Sequence, residues 1–303
     1  MALPSAAAAA LARDAAYRRG VWLVTGATLA WSSAGLLARW VATDPWTTLF
    51  WRSLFATMSL LSYMALRDRG AVVQSFRRLG RVGVAMAVCF AVSMMCFINA
   101  LNLTTVAAVL IFQAAAPLFA ATLAWIFLKE RVGPKKLFAI LITMAGVLVM
   151  VSGAGAVGRL TGDVLSAVMG ITYAGTIVLA RVRPDVPTTA ASCLAVIIVA
   201  LVSAPFAKFS VTPHDLALLA LFGFGQMGLA LILSTAGVRL IPAADAGLIS
   251  VLESVLAPLS VWLVFGEDPG GNTLVGGVIV VVAVIAAARL DRPGVVQTGP
   301  GMP

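Results

Sequence analysis

Glu253 is the only acid near the middle of any long apolar run in this chain. A carboxyl group at such a place can hold a substrate ammonium or bind and release a proton. It can equally be a protonated group hydrogen-bonded to a neighbouring helix. Gln113 and Gln226 lie at a comparable depth in their own runs. Each offers two donors and an acceptor, enough to orient a zwitterion without fixing a charge, and equally enough to join two helices. Trp31, Ser32 and Ser33 are central in the first run, and Thr172 and Tyr173 in the sixth, so polar and aromatic groups from distant parts of the sequence share one level. Arg52 carries a planar fork suited to a carboxylate, but it sits about a turn and a half from the outer end of its run. Its long stem can carry the head to the surface, and packing or anchoring at the interface is the expected role. Asn99 is placed to line the mouth of a cavity and Asn102 to cap the turn. Met94, Met95, Phe97 and Phe112 are suited to adaptable apolar walls or to plain packing.

The elements that must position these groups cannot belong to a water-soluble domain. Of 303 residues, 61% are hydrophobic and 11% charged, and the mean hydropathy is +1.03. A soluble core cannot hide that much apolar surface, so the fold class expected is an all-α integral membrane protein. With roughly 20 residues needed to cross the hydrocarbon, ten spans fit: 20–40, 46–66, 82–101, 104–128, 135–152, 161–181, 189–207, 214–236, 243–265 and 272–289. A charge at the centre of such a span costs roughly 2.5 to 3.5 kcal/mol, which makes the central polar residues the best pointers to a route through the membrane.

The net charge of +9 would suggest nucleic acid in a soluble protein, but here the bases sit in short clusters between apolar runs. They read as topology signals. One side of the membrane collects the N-terminal tail, Arg67 to Arg81, Lys129 to Lys136, Arg181, Arg183, Arg239, Arg289 and Arg292. The other side has only Arg39, Arg159 and Lys208. The first side is expected to be cytoplasmic, with both termini there.

The stretch 113–130 returns in weaker form as 250–267. Trp125 pairs with Trp262, Glu130 with Glu267 and Gly133 with Gly270, all at one offset. Bases follow the first copy and acids end the second, so the copies finish on opposite sides. This predicts a tail over 1–19, a five-helix repeat over 20–152, a second, inverted repeat over 161–289, and a tail over 290–303. Two inverted repeats around a central cavity are the sign of a transporter.

The ten spans, the ending from Pro117 to Glu130 and its echo over 252–267 resemble the drug/metabolite transporter superfamily. The likeness is to its EamA-type ten-helix exporters and, among these, to YddG-like amino-acid exporters, over nearly the whole chain. The resemblance implies export of small metabolites, with amino acids, aromatic or other neutral ones, as the expected substrates. Trp31, Ser32, Ser33, Asn99, Gln113, Tyr173, Gln226 and Glu253 are the candidate substrate-binding residues, and Pro117, Gly225 and Pro258 the candidate hinges. The family pattern has Leu-Glu-Pro in the ninth span, whereas here Ser254 stands in place of the proline and Pro258 follows. The expected partners are the small-molecule substrate, the lipid bilayer and, where export is coupled, protons. No nucleic acid, cofactor or metal is expected.

Other signals are set aside. GxGxxG occurs at 153–158 and 223–228, but neither match follows a soluble strand with an acid some 20 residues on. The second is better explained by close helix packing or a hinge. Cys89, Cys96 and Cys193 form no CxxC pair and read as small core residues. His214 opens a span, where it is solvated or caps a helix. Multidrug or other metabolite efflux is the alternative within transport. An intramembrane lipid-modifying enzyme would need a cluster of acids and histidines, which the sequence does not supply.

Overall fold

The computed structural model describes residues 6–67, 71–104 and 160–238 continuously, and scattered positions within 109–149 and 240–283. All regular structure among the described residues is helical. The helices are α1 (Ala6–Ser32), α2 (Ala34–Trp40), α3 (Pro45–Arg67), α4 (Val72–Arg77), α5 (Gly80–Leu103), α6 (Ala116–Leu128), α7 (Leu160–Val182), α8 (Thr188–Ser203), α9 (Pro213–Ala220) and α10 (Ala230–Gly237). A π-helical segment, Leu221–Leu229, joins α9 to α10 without interruption.

Six helical stretches among the described residues are long and apolar enough to cross a membrane, from Asp14–Trp40 to Pro213–Gly237. They coincide with the first three and the sixth to eighth expected spans. The remaining four expected spans, 104–128, 135–152, 243–265 and 272–289, fall largely or partly outside the described residues. Large apolar side chains face outward along the helices, among them Trp22, Leu66, Phe127 and Leu201. Such a surface is suited to lipid.

Helices from the two ends of the chain alternate in the bundle. α5 packs along α7, α3 along α8 and the π-helical segment, and α1 along α10. The main core is built where α3, α5 and α8 meet, from Leu49, Ala56, Leu60, Met86, Ala91 and Val196 and their neighbours. Cys193 lies in this core, as the reading of the cysteines expected.

Two starts and one break follow directly from local chemistry. Asp44 precedes Pro45 and accepts from the Trp46 and Thr47 amides at 3.1 and 3.0 Å, capping α3. Thr212 precedes Pro213 and accepts from the Asp215 amide at 3.1 Å, while its hydroxyl donates to the Asp215 carboxylate at 2.7 Å. The cap near His214 is therefore Thr212. The first expected span, 20–40, differs from what is seen. Its helix already begins at Ala6, because the alanine-rich start has high helix propensity, and it breaks at Ser33. The Ser32 and Ser33 hydroxyls donate to the Leu29 and Ala30 carbonyls at 2.8 and 2.7 Å, competing with the backbone ladder at that point.

Loops that the charge count assigns to one side meet one another. At one end, the Ala42 amide donates to Asp215 at 3.1 Å, the Lys208 amide to Thr47 Oγ1 at 2.9 Å, and Thr104 Oγ1 to Asp163 at 2.8 Å. At the other, the segment after α3 lies against the turn before α8, around a pocket that both Arg78 and Asp185 line.

Candidate functional site

The break after Ser32, the middle of α3, one face of α5, one face of α7 and the π-helical segment converge on a cavity of about 170 Å³. Residues 90, 93, 94 and 97 line it from α5 and 169, 170 and 173 from α7, in each case at the spacing of one helical face. Phe90, Met94, Phe97 and Met169 form much of the apolar wall, and the Phe90 and Tyr173 rings lie 6.3 Å apart.

Arg52 enters this cavity from α3, and here the structure corrects the sequence reading. Its side chain does not reach for the membrane surface. The residue is 5% exposed, Nη2 donates to Gln226 Oε1 at 2.9 Å, and the guanidinium carbon lies 4.6 Å from the centre of the Phe222 ring. A π-helical turn makes this possible by widening the helix and turning Gln226, itself 4% exposed, toward α3. Arg52 Nη2 also lies 3.4 Å from Met227 Sδ, yet Nε is buried with no hydrogen-bond partner. An unpaired donor on a buried cation is costly, and an acceptor arriving in the cavity would relieve that cost.

Across the cavity, Gln113 Nε2 donates to Glu253 Oε1 at 3.2 Å. The two residues come from stretches 140 positions apart, so this bond joins the two halves of the chain. The cavity is thus lined by a guanidinium bonded to one glutamine and a carboxyl group bonded to another. Ser93, whose hydroxyl donates to the Met169 carbonyl at 3.2 Å, lies between apolar neighbours on the α5 face.

Of the candidate binding residues, Trp31, Gln113, Tyr173, Gln226 and Glu253 line the cavity together. Ser32, Ser33 and Asn99 are not among its lining residues. The two serines bond within their own helix, and Asn99 donates to the Met95 carbonyl at 2.8 Å. Gly225 lies within the π-helical segment. A side chain added there would meet Leu221 on its own helix at 3.2 Å, whereas at Gly223 and Gly228 it would run into Phe55 and Ser59 of α3. The 223–228 glycines therefore serve close packing at two positions, which brings Arg52 and Gln226 within reach. Pro117 is the second residue of α6, and Pro258 lies outside the described residues, as does the glycine motif at 153–158. Phe90, Met169, Met227 and Ser250 line the site without having been singled out. The helical spacing from Phe90 to Phe97 was the signal available for the first of these.

Comparison with curated proteins by sequence found no match. A solved crystal structure superposes with a TM-score of 0.69 at 21% identity, covering 90% of this chain and 97% of that one. That likeness speaks for the fold. The EamA-like transporter family matches in two parts, over residues 18–152 and 160–289. With six apolar spans among the described residues, a cavity lined by residues of both parts and this match over most of its length, the chain belongs to the EamA-like transporter family and is a multi-pass membrane transporter.

Proposed function

We propose that this transporter exports small metabolites, above all neutral or aromatic amino acids, across the cytoplasmic membrane by alternating access, with both termini on the cytoplasmic side. The observation that carries the reading is that one small cavity is lined by both a guanidinium, Arg52, and a carboxyl group, Glu253. A zwitterion presents a carboxylate and an ammonium a few ångströms apart. The guanidinium, with its unpartnered Nε, suits the first, and the Glu253 carboxyl suits the second. Gln226 and Gln113 hold these two groups in place and offer further donors and acceptors. Trp31, Tyr173 and the Phe and Met side chains receive the remainder of the substrate.

Alternating access asks two inverted halves to rock about such a site. The break at Ser33 and the π-helical segment holding Gly225 are the irregular backbone nearest the cavity among the described residues, and with Pro117 and Pro258 they are the hinges of this reading. Broader metabolite or drug efflux is the second reading, and the methionines of the wall favour it, since flexible thioethers repack around different shapes.

Counterflow in liposomes holding only this protein tests the proposal. Labelled neutral amino acids are expected to exchange, and their amides, which lack the carboxylate, are expected to exchange far more slowly. Exchange of lipophilic cations with none of amino acids would overturn it in favour of the second reading. Repeating the assay with an imposed pH gradient separates proton coupling from facilitated diffusion.

A further inference from the structure

At the end of the bundle away from Asp44 and Lys208, the last turn of α3, the short helix α4 and the start of α8 enclose a second pocket of about 440 Å³. Arg67, Gln74 and Arg78 line it from one side, and Asp185 and Thr189 from the other. Arg67 lies over the Tyr63 ring at 5.9 Å. Among the described lining residues the one acid is already paired, since Arg183 grips Asp185 through two bonds of 2.8 and 2.7 Å. Among those described residues the balance of charge is therefore positive.

The floor of the pocket is the beginning of a 16-residue helix, α8. No side chain caps it: Pro187 occupies the capping position, and the first turn holds no acid. α3 and α9 differ, each start being satisfied by a side-chain oxygen from Asp44 or Thr212. Within the first turn of α8, Thr189 is 6% exposed, and its hydroxyl is buried with no hydrogen-bond partner. Natural proteins seldom leave a buried hydroxyl unpaired, because the loss of its water contacts is not repaid. An acceptor sitting over the helix start would pair it. The positive end of the helix dipole and the Arg78 guanidinium make that acceptor an anion, and a group with several oxygens can meet these donors and the Thr189 hydroxyl at once.

We propose that this pocket binds a phosphate group. Two sources share that chemistry. Leu66 and Val73, each next in sequence to a lining residue, are 84% and 65% exposed, so the rim borders the lipid-facing surface and a lipid headgroup can present its phosphate there. A soluble phosphate can enter from the aqueous side. The site is separate from the central cavity and does not depend on what that cavity carries.

The full-length protein, purified in a neutral detergent, provides the test. Its unfolding temperature is followed while either inorganic phosphate, at constant ionic strength, or phosphatidylglycerol is titrated, with phosphatidylcholine as the control. One or both of the anionic additions is expected to raise the unfolding temperature of the parent protein. Thr189→Val and Arg78→Gln are each expected to weaken the apparent affinity about tenfold. Thr189→Val is expected not to lower the unfolding temperature without ligand, because the hydroxyl it removes has no partner to lose and its burial is a cost. Lys208→Gln removes a base from the opposite end and is expected to leave the response intact. A response to the lipid alone assigns the headgroup as the source, and a response to phosphate alone assigns a soluble ligand. The proposal fails if neither addition stabilises the parent. It also fails if Arg78→Gln and Thr189→Val respond as the parent does, or if Lys208→Gln weakens the response as much as they do.

Discussion

Asp44 and Arg52 stand about two turns apart along the same helix, and the protein treats their charges in opposite ways. At Asp44 each polar group finds a partner within the protein. Its carboxylate accepts from the Trp46 amide and from the amide and hydroxyl of Thr47, and Lys208 lies 3.8 Å away. Around it the 206–215 segment is tied down by the Lys208 and Ala42 amides and by contacts of Trp46 with Phe206 and Phe50 with Phe209. At Arg52 the charge is more deeply buried and less well partnered, with a hydrogen bond to Gln226, a weak one to the Met227 sulfur, a ring beneath and Nε left over. A region satisfied from within is a clasp, and its ion pair is worth little because it is exposed. A region that buries a charge without completing its hydrogen bonds is arranged for something that is not part of the chain.

The largest expected effect separates the two regions most sharply. Arg52→Met keeps an unbranched apolar stem and removes the guanidinium with its charge. Amino-acid exchange should fall about a hundredfold or more, while the unfolding temperature changes little, since a buried and incompletely paired charge contributes little to stability. Loss of folding with exchange per folded molecule intact would make Arg52 a packing residue and erase the contrast. Glu253→Gln should lower exchange of zwitterions about tenfold and shift preference toward substrates without an ammonium. An unchanged rate, substrate preference and pH response would remove Glu253 from the site.

On the clasp the pattern reverses. Asp44→Ala should cost about 1 kcal/mol of stability through loss of the helix cap, measured by thermal or denaturant unfolding, and leave exchange per folded molecule unaltered. The smallest effect is in acid. Burial opposes ionisation of Asp44, but the Thr47 hydroxyl and amide, the Lys208 charge and the Trp46 amide outweigh it and hold the carboxyl below its ordinary value of 3.8. A group depressed in the folded state stabilises fully above its unfolded value and loses that contribution as pH falls through the folded one. The stability difference between the parent and Asp44→Ala should therefore be constant near neutrality and shrink as the pH drops below about 4. A difference that grew on acidification would mean the carboxylate is not held in its charged form.

Much of this comparison can be read from the chain before any coordinates. The membrane class, the spans over 46–66, 82–101 and 189–207, the grouping of loops by side and the duplication follow from hydropathy and charge. These are sums over neighbouring residues and need no knowledge of what packs where. Five of the eight candidate binding residues line one cavity, because polar groups at the middle of apolar spans are expensive enough to stand out individually. Ser32 and Ser33 had the same depth but satisfy themselves on their own helix, a choice open to any serine and invisible to a depth argument.

What only the tertiary structure decided is direction and pairing. Arg52 has the stem to reach the surface or the centre, and its sequence neighbours fit either. Gly223 and Gly228 let the π-helical segment close on α3, and Gln226 then meets the guanidinium. The bond from Gln113 to Glu253 and the lone hydroxyl of Thr189 likewise depend on helices far apart in sequence. Hydropathy fixes how deep a residue sits, whereas the way it faces around its helix is set by which neighbour fills the opposite side, and that information is not local to any stretch of the chain.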